Sequence, residues 1–243
     1  MRTPEFFLDH YAPVTTHLAF FEMPVSDLAQ VLYDRNVKIN KDCGFDWVVQ
    51  KNAVRGTLSE KLHALLPMAS GLPTKKLVSQ TASRWSVYAV NKYPFGDVHS
   101  EPSYLSRVLK IRVLSIIMIK DVPGGQPGSM QFVYRDGPRT KPIETQYGIQ
   151  HEIPARAVYA HKESKWEFGA YGEPLPFEEL DTYTAKRIKD RLTAEMTERY
   201  CRNLDIDLFD PDFYAGDGFI IQTYATPDTK FFPSFPNLIE TMS

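Results

Sequence analysis

Cysteine is scarce in this chain of 243 residues, which holds only Cys43 and Cys201, and neither belongs to a C-x-x-C pair. A small secreted disulfide scaffold needs several spaced cysteines, so that class is excluded. Long apolar runs are missing too. The longest, at 113–119, is interrupted by Ser115 and closed by Lys120, whereas a helix that crosses a bilayer needs roughly 20 apolar residues. We interpret the two thiols as buried or inert in a reducing compartment.

An excess of positive charge is absent as well. The chain has 28 lysines and arginines against 30 aspartates and glutamates, which gives a net charge of −2 at pH 7. Binding to nucleic acid needs a basic footprint, so a nucleic-acid partner is not expected. The N-terminus places Glu5 and Asp9 where a secretory leader needs an unbroken apolar core. We therefore expect a cytoplasmic protein without a membrane or nucleic-acid partner.

The common catalytic and cofactor motifs are missing. There is no G-x-S-x-G elbow, and no two of the six histidines are spaced i, i+4 as in the helical zinc motif. The glycine-rich segment at 123–128, PGGQPG, lacks the Lys-Ser/Thr that follows a phosphate loop. Cys43 lies between Asp42 and Asp46, whose charges disfavour a reactive thiolate. The sequence therefore predicts no cofactor, no metal site and no assignable catalytic residue.

Length and composition indicate one globular domain. Hydrophobic residues make up 43% and charged residues 24%, which is ordinary for a folded domain that buries a core. Because no linker or repeat interrupts the chain, we expect a single α+β domain over residues 1–243. The region near 67–84 is the one plausible place for a subdivision.

Alternating apolar residues predict most of the strands. Residues 84–90 and 129–135 alternate, 110–119 is a nearly continuous apolar run, and 155–172 has the pattern of a hairpin with a polar tip. Further strands are predicted at 16–23, 45–50 and 218–225. Loops rather than crossover helices join the central strands, so we expect an antiparallel, curled sheet of four to seven strands flanked by helices.

Apolar residues that recur every three or four positions predict the helices. They indicate helices at 24–36, with Ser26 as the cap, and at 58–66. The strongest pattern follows the hairpin, where Thr184 and Thr193 are both suited to cap a helix. We therefore expect two helices in succession near 184–191 and 194–203.

The segment that follows, LDIDLFDPDFYAGDGF at 204–219, is acidic and aromatic. From 204 to 229 the chain has six aspartates and no lysine or arginine. A calcium loop that begins at Asp205 fails because Phe209, Asp210 and Gly216 occupy positions that require an acid, a glycine and a glutamate. Two interpretations stay open, and they are compatible: a connection whose phenylalanines enter the core, and a surface for a basic partner protein.

A basic protein would be attracted by such carboxylates, and aromatic residues are the usual interface anchors. The predicted partner-binding residues are Asp205, Asp207, Asp210, Asp212, Tyr214 and Asp217. The alternative function is an enzyme with a polar site around Asp97, His99 and Glu101, to which the more distant His151 could contribute. In an extended chain the first three alternate onto one face, where they could hold a cation or perform acid–base chemistry.

Two stretches, within 83–214, resemble a scattered group of uncharacterised bacterial proteins. Their shared features are a W-x-x-Y-x-x-N strand, a Gly-Asp turn, a Trp-Glu-Phe strand, a Phe-Glu-Glu segment and a Tyr-Thr-x-(Arg/Lys)-Arg-Ile helix. Here these fall on Trp85, Tyr88, Asn91, Gly96, Asp97, Trp166, Glu167, Phe168, Phe177, Glu178, Glu179, Tyr183, Arg187 and Ile188. Small cytoplasmic families of this type often serve as immunity proteins. The resemblance therefore implies that the chain binds and neutralises a cognate bacterial toxin.

Overall fold

A computed structural model describes residues 6–71, 74–94, 96–137, 142–144, 150–224 and 228–235. The chain forms an α+β structure in which strands predominate and a nine-stranded sheet is the largest element. The predicted α+β class and antiparallel sheet are confirmed. The predicted range of four to seven strands is too low, because short polar strands with no visible alternation also join the sheet.

The described residues form the following regular elements. The helices are α1 (Val25–Asp42), α2 (Leu58–His63), α3 (Ser100–Leu109) and α4 (Ala194–Arg202). The strands are β1 (His17–Phe21), β2 (Gln50–Val54), β3 (Met68–Ser70), β4 (Lys75–Gln80), β5 (Ser86–Val90), β6 (Lys92–Tyr93), β7 (Arg112–Ile119), β8 (Ser129–Asp136), β9 (Pro142–Glu144), β10 (Gln150–Glu152), β11 (Arg156–Lys162), β12 (Trp166–Gly172), β13 (Gly218–Gln222) and β14 (Phe231–Phe232). A π-helical turn at Phe6–His10 and 3-10 turns at Leu180–Thr184, Ile188–Asp190 and Pro211–Tyr214 complete the set.

The strand order of the large sheet is β12-β11-β8-β7-β1-β5-β4-β13-β2. A three-stranded sheet, β14-β3-β6, and the pair β10-β9 accompany it. The chain divides into two compact units. The first comprises Met1–Leu18, Glu22–Asp97 and Phe209–Ser243, and the second comprises Ala19–Phe21 and Val98–Leu208. The expectation of a single domain stays a prediction.

In the first unit, β13 lies between β4 and β2 and is antiparallel to both. α1 packs on β13 and β4, and its buried side chains include Val25, Leu28 and Leu32, which recur at helical spacing. The strand predicted at 45–50 is wrong. The strand that forms instead, β2, lies at Gln50–Val54, and its residues are mostly exposed, so they lack the apolar pattern that would have revealed it.

In the second unit, β7, β8, β11 and β12 pair antiparallel in an unbroken series. The predicted apolar strand is confirmed as β7, and the predicted hairpin as β11 and β12. α3 packs against β7 and β8. At Gly169 a Cβ atom would lie 2.5 Å from the Tyr159 ring, so a larger residue here would force that ring to move.

The first two helices are predicted correctly apart from one cap and their ends. α1 begins after Pro24, without a side-chain cap, rather than at Ser26. α2 begins with a capping box in which Thr57 accepts from the Glu60 amide while the Glu60 carboxylate accepts from the Thr57 amide. This reciprocal pair satisfies two backbone donors that a helix start otherwise leaves open.

The two helices predicted after the hairpin have different outcomes. α4 forms as expected, and the Thr193 hydroxyl accepts from the Met196 amide at its start. The helix predicted at 184–191 is wrong. The backbone at Ala185 is extended, with ψ 142°, and only 3-10 turns flank it. The Ala185 carbonyl, which in a helix would accept from the amide of residue 189, accepts from Arg191 Nε at 2.9 Å.

Cys201 is buried on α4, whereas Cys43 is exposed. Burial raises the pKa of the Cys201 thiol, and the nearby Glu198 carboxylate adds to this. In an unfolded chain a cysteine thiol has a pKa of about 8.5. As the pH rises, the unfolded chain therefore loses this proton at a lower pH than the folded protein does. The stability that comes from the protonated thiol is therefore complete below about pH 8.5 and declines as the pH rises.

Between pH 8 and pH 10, the wild type is expected to lose about 2 kcal/mol more unfolding free energy than Cys201→Ala. Urea unfolding of both proteins at each pH gives this difference directly. The comparison uses only the slope with pH, so the lost side-chain packing in the variant cancels. Equal slopes for the two proteins would show that the thiol is not kept protonated by the fold.

None of the helices in the described part of the chain has both the length and the apolar composition that a bilayer crossing requires. The expected cytoplasmic location is untested and stays a prediction.

Candidate functional site

The acidic stretch begins at the end of α4, in the second unit. The Asp205 amide donates to the Arg202 carbonyl and the Ile206 amide to the Cys201 carbonyl. This pair of hydrogen bonds ends a helix with one residue in the left-handed conformation. That residue is Asp205, with φ 61°. Its exposed side chain occupies a position where glycine is usual and where the negative end of the helix disfavours a carboxylate.

The apolar residues that alternate with these aspartates point into the second unit. Ile206 and Leu208 are fully buried. Asp207 is half-buried, and one of its carboxylate oxygens lies 3.9 Å from Nε of Arg202. The first aspartates of the stretch are therefore held on a short, well-anchored segment.

The stretch continues in the first unit with the 3-10 turn at Pro211–Tyr214. The Asp210 carboxylate accepts from the Asp212 amide and caps this turn. Phe209, Phe213 and Tyr214 are all buried. Phe209 and Tyr214 both contact Phe7, with ring centroids 5.8 and 5.7 Å away. The interpretation of the segment as a connection with its phenylalanines in the core is confirmed for Phe209 and Phe213, whereas Phe219, on β13, is half-buried.

A buried lysine holds the end of this turn. Lys61 of α2 is 0% exposed, and its Nζ donates to Ser79 Oγ at 2.8 Å, to the Tyr214 carbonyl at 2.7 Å and to the Gly216 carbonyl. An ammonium group has three donors, and all three are used. Burial lowers the pKa of Lys61, and the negative charge of Asp217 partly offsets this. Lys61 thus fixes the backbone that carries the last aspartates.

The last predicted residue, Asp217, is exposed and lies 3.3 Å from Nε of Arg55. Both side chains are well solvated, so this ion pair contributes little to stability. The Asp217 carbonyl accepts from the Gln80 amide at 2.8 Å, which ties the loop to β4. Its carboxylate therefore remains at the surface while its backbone is held in place.

The predicted partner-binding residues differ in exposure. Asp205, Asp212 and Asp217 are exposed, and Asp207 and Asp210 are half-buried. Tyr214 is only 1% exposed, so its ring packs in the core of the first unit, away from the surface. Partner binding by this set stays a prediction, and the carboxylates are the groups on which it now depends.

The residues of the alternative polar site do not form the expected extended segment. Asp97 belongs to the first unit, whereas His99 and Glu101 belong to the second, and Glu101 lies in the first turn of α3. The alternation that would place three side chains on one face requires a strand. Because α3 begins at Ser100, that expectation is wrong. The side chain of His151, a further histidine considered for this site, lies outside the described residues.

The contacts of His99 define its tautomer. Arg135 can only donate hydrogen bonds, and its guanidinium lies 3.5 Å from His99 Nδ1. Nδ1 is therefore the acceptor, and Nε2 carries the proton that it donates to Gln131 Oε1 at 3.3 Å. A general base needs a ring nitrogen able to take a proton from the substrate. Both ring nitrogens are instead engaged in this network.

A buried polar network in the second unit was not predicted from the sequence. The guanidinium of Arg156 binds the Glu178 carboxylate through Nε at 2.8 Å and Nη2 at 2.6 Å. Glu178 also accepts from the Tyr183 hydroxyl, which lies 3.3 Å from the Tyr200 hydroxyl. Burial raises the pKa of both tyrosines. Each polar group has a partner, so the network is suited to holding structure rather than to proton transfer.

Several members of this buried network belong to the segments that resemble uncharacterised bacterial proteins. Glu178 and Tyr183 form its centre, and Phe168 and Phe177 pack against Tyr183 and Tyr200 with ring centroids 5.2 and 5.8 Å away. These features therefore have a structural explanation, which is the packing of the hairpin against the turns that follow it.

In the described ranges, no group of three or more histidine, cysteine, aspartate or glutamate side chains is placed to hold a metal ion. Comparisons with protein-family models, with curated proteins and with solved structures find no match for this chain.

Proposed function

We propose that the protein binds a partner protein with a basic surface through the carboxylates of the acidic stretch. The observation that carries this is the separation of roles in that stretch: Phe209, Phe213 and Tyr214 are buried, while all five of its aspartates keep some exposure. The aromatic residues anchor the backbone, and the carboxylates are left at the surface. Preorganised charge of this kind favours binding because little side-chain freedom is lost on association.

The electrostatics of the segment support the same proposal. Four of the five aspartates lie within the eight residues 205–212, and no lysine or arginine occurs between 204 and 229. Two ion pairs involve the stretch, Arg202–Asp207 and Arg55–Asp217, and their nitrogen–oxygen distances are long, at 3.9 and 3.3 Å. Local negative charge accelerates encounter with a positively charged partner, and this effect weakens as salt rises.

The more specific role that we propose is immunity to a bacterial toxin. Toxins that cleave nucleic acids carry basic clefts for their polyanionic substrates. A protein that presents ordered carboxylates to such a cleft blocks the substrate and neutralises the charge. The cognate partner would then be a basic domain encoded near this gene. An adjacent reading frame that ends in a small basic domain is the genomic arrangement that this role predicts.

Charge changes in the stretch are expected to weaken partner capture by about 100-fold, because each removed surface charge costs on the order of 1 kcal/mol at low salt. The variant combines Asp207→Lys, Asp210→Asn and Asp212→Lys. Asparagine is chosen at 210 because it retains the ability to cap the 3-10 turn. Affinity purification from the source organism identifies the partner, and titration with that partner measures the loss.

The matched control carries the same change in net charge elsewhere, as Asp34→Lys, Asp46→Asn and Asp181→Lys at exposed positions. It is expected to bind as the wild type does, and both variants should unfold at similar urea concentrations. If the acidic-stretch variant captures the partner as well as the control does, the proposed binding surface is wrong.

A further inference from the structure

A separate feature of the first unit is a pocket of about 430 Å³ near the ends of β4 and β13. Its lining includes Pro67, Thr74, Lys75, Gln222, Tyr224 and Phe231. The volume lies in the range of small-molecule sites, which are usually clefts of about 300–1,000 Å³. None of these residues belongs to the acidic stretch, so the pocket is independent of the proposed protein-binding surface.

The walls of the pocket are held by a buried asparagine. The side-chain oxygen of Asn91 accepts from the amides of Thr74 and Lys75 at 3.0 and 2.9 Å. Its side-chain nitrogen donates to the Pro67 carbonyl at 2.9 Å and to the Thr74 hydroxyl at 3.0 Å. Asn91 is 0% exposed, so one side chain positions two walls of the pocket. Preorganised walls lower the entropic cost of binding a ligand.

Two aromatic side chains among the lining residues are largely solvent-exposed. Tyr224 is 57% and Phe231 50% exposed, which is high for residues with large apolar rings. The backbone of Phe231 is fixed by pairing with Ala69 of β3. The amide of Thr223, next to Tyr224, donates to the Thr74 carbonyl at 2.8 Å. Exposed rings on ordered backbone offer flat apolar surfaces to a ligand.

The charge of the pocket is supplied by Lys75. Its Nζ donates to the Ala64 carbonyl at 3.0 Å and to the Leu66 carbonyl. An ammonium group has three donors, so one N–H has no acceptor among the residues that the structure describes. Among the described residues that line the pocket there is no aspartate or glutamate. The pocket therefore combines a cation with apolar walls and has no carboxylate of its own to neutralise that cation.

We propose that this pocket binds a small organic anion with a flat apolar body, such as an aromatic carboxylate. The carboxylate accepts the remaining N–H of Lys75, and the ring packs against Tyr224 and Phe231. Burial lowers the pKa of Lys75, so this side chain loses its positive charge at a lower pH than an ordinary lysine does. The affinity for the anion therefore also begins to fall at a lower pH.

The test uses 2-naphthoate and its neutral analogue 2-naphthalenemethanol, titrated into the full-length protein by calorimetry. The wild type is expected to bind the carboxylate at least about fivefold more tightly than the alcohol. Lys75→Met is expected to weaken the carboxylate about tenfold, the size of one charged hydrogen bond, and to leave the alcohol nearly unchanged. Phe231→Ala is expected to weaken both compounds.

Tyr171→Ala is the matched control, because Tyr171 is equally exposed but lies in the second unit, and it should leave both affinities unchanged. Phe231→Ala removes an exposed ring, so it remains informative even if Lys75→Met does not fold. Equal affinities for the two compounds in the wild type, no binding at millimolar concentration, or wild-type affinity in Phe231→Ala would each overturn the proposal.

Discussion

Glu178→Gln is expected to lower the free energy of unfolding by about 3–5 kcal/mol. Glu178 and Arg156 are paired by side chains that are only 0% and 4% exposed. A guanidinium group stays protonated at all ordinary pH values. Removing the carboxylate charge therefore leaves a positive charge in the interior of the second unit without its counter-charge.

The substitution also disturbs the neighbours of the ion pair. In the wild type, Glu178 Oε1 accepts from the Leu175 amide at 2.9 Å and Oε2 accepts from the Tyr183 hydroxyl at 2.8 Å. A glutamine side chain has one oxygen and one NH₂ group. The NH₂ group would therefore point at one of these two donors, the Leu175 amide or the Tyr183 hydroxyl, and could not accept its hydrogen bond. Both effects reduce stability, and equilibrium urea unfolding measures their sum.

The adjacent residue provides the control. Glu179 pairs with Arg199 at 2.7 Å, but these side chains are 36% and 49% exposed. An exposed pair contributes at most about 1 kcal/mol, so Glu179→Gln is expected to be nearly neutral. Because the same charge is removed from two neighbouring glutamates, any difference between the two losses of unfolding free energy comes from burial. Similar effects of the two substitutions would contradict a structural role for the Arg156–Glu178 pair.

Lys61→Met is expected to lower the unfolding free energy by about 3 kcal/mol and to loosen the end of the acidic stretch. Methionine fills a similar volume and removes the cost of burying a charge. However, the Tyr214 and Gly216 carbonyls lose their donor, and each buried polar group without a partner costs about 1–3 kcal/mol. The loss of several acceptor contacts at one site therefore exceeds the gain from desolvation.

Hydrogen exchange shows whether the loop is affected as well as the global stability. The Phe213 and Ala215 amides, which donate to the Asp210 and Asp212 carbonyls, are expected to exchange faster in Lys61→Met. Lys41→Met, at an exposed position on α1, should change stability by less than about 0.5 kcal/mol. Unchanged exchange at Phe213 would mean that Lys61 does not hold this segment.

Much of the fold could be predicted because local patterns agree with tertiary packing. The apolar run of β7 and the hairpin of β11 and β12 keep their periodicity in the structure. The Thr193 cap marks the start of α4 in the same way. Such segments bury a regular face, so their sequence carries the signal that packing uses.

The incorrect predictions occur where distant contacts or helix signals outweigh the local pattern. The alternation of Asp97, His99 and Glu101 favours an extended segment, whereas Glu101 lies in the first turn of α3. Its helix signal was Pro102 in the first turn, where proline lacks a hydrogen-bonding penalty. The helix predicted at 184–191 is interrupted at Ala185, whose carbonyl accepts from the Arg191 side chain, and helical periodicity does not encode such a side-chain contact.

The polar groups that determine the interior could be predicted only in part. Lys61 lies on the same helical face as the buried Leu58 and Leu65, and a lysine on an apolar stripe is a recognisable signal. Two of its three acceptors, however, lie 153 and 155 residues further along the chain. Only the tertiary structure brings them together, so the sequence could suggest burial of this lysine but not its role.

The left-handed aspartate at the end of α4 bears on how this protein would be redesigned. A designer seeking stability alone would choose glycine at residue 205, for the backbone and for the helix dipole alike. The natural chain keeps a carboxylate there, at a local cost. In natural proteins such departures from the most stable choice tend to accompany function. Replacing Asp205 by glycine would thus raise the stability of the protein, but it would also remove one carboxylate from the acidic stretch.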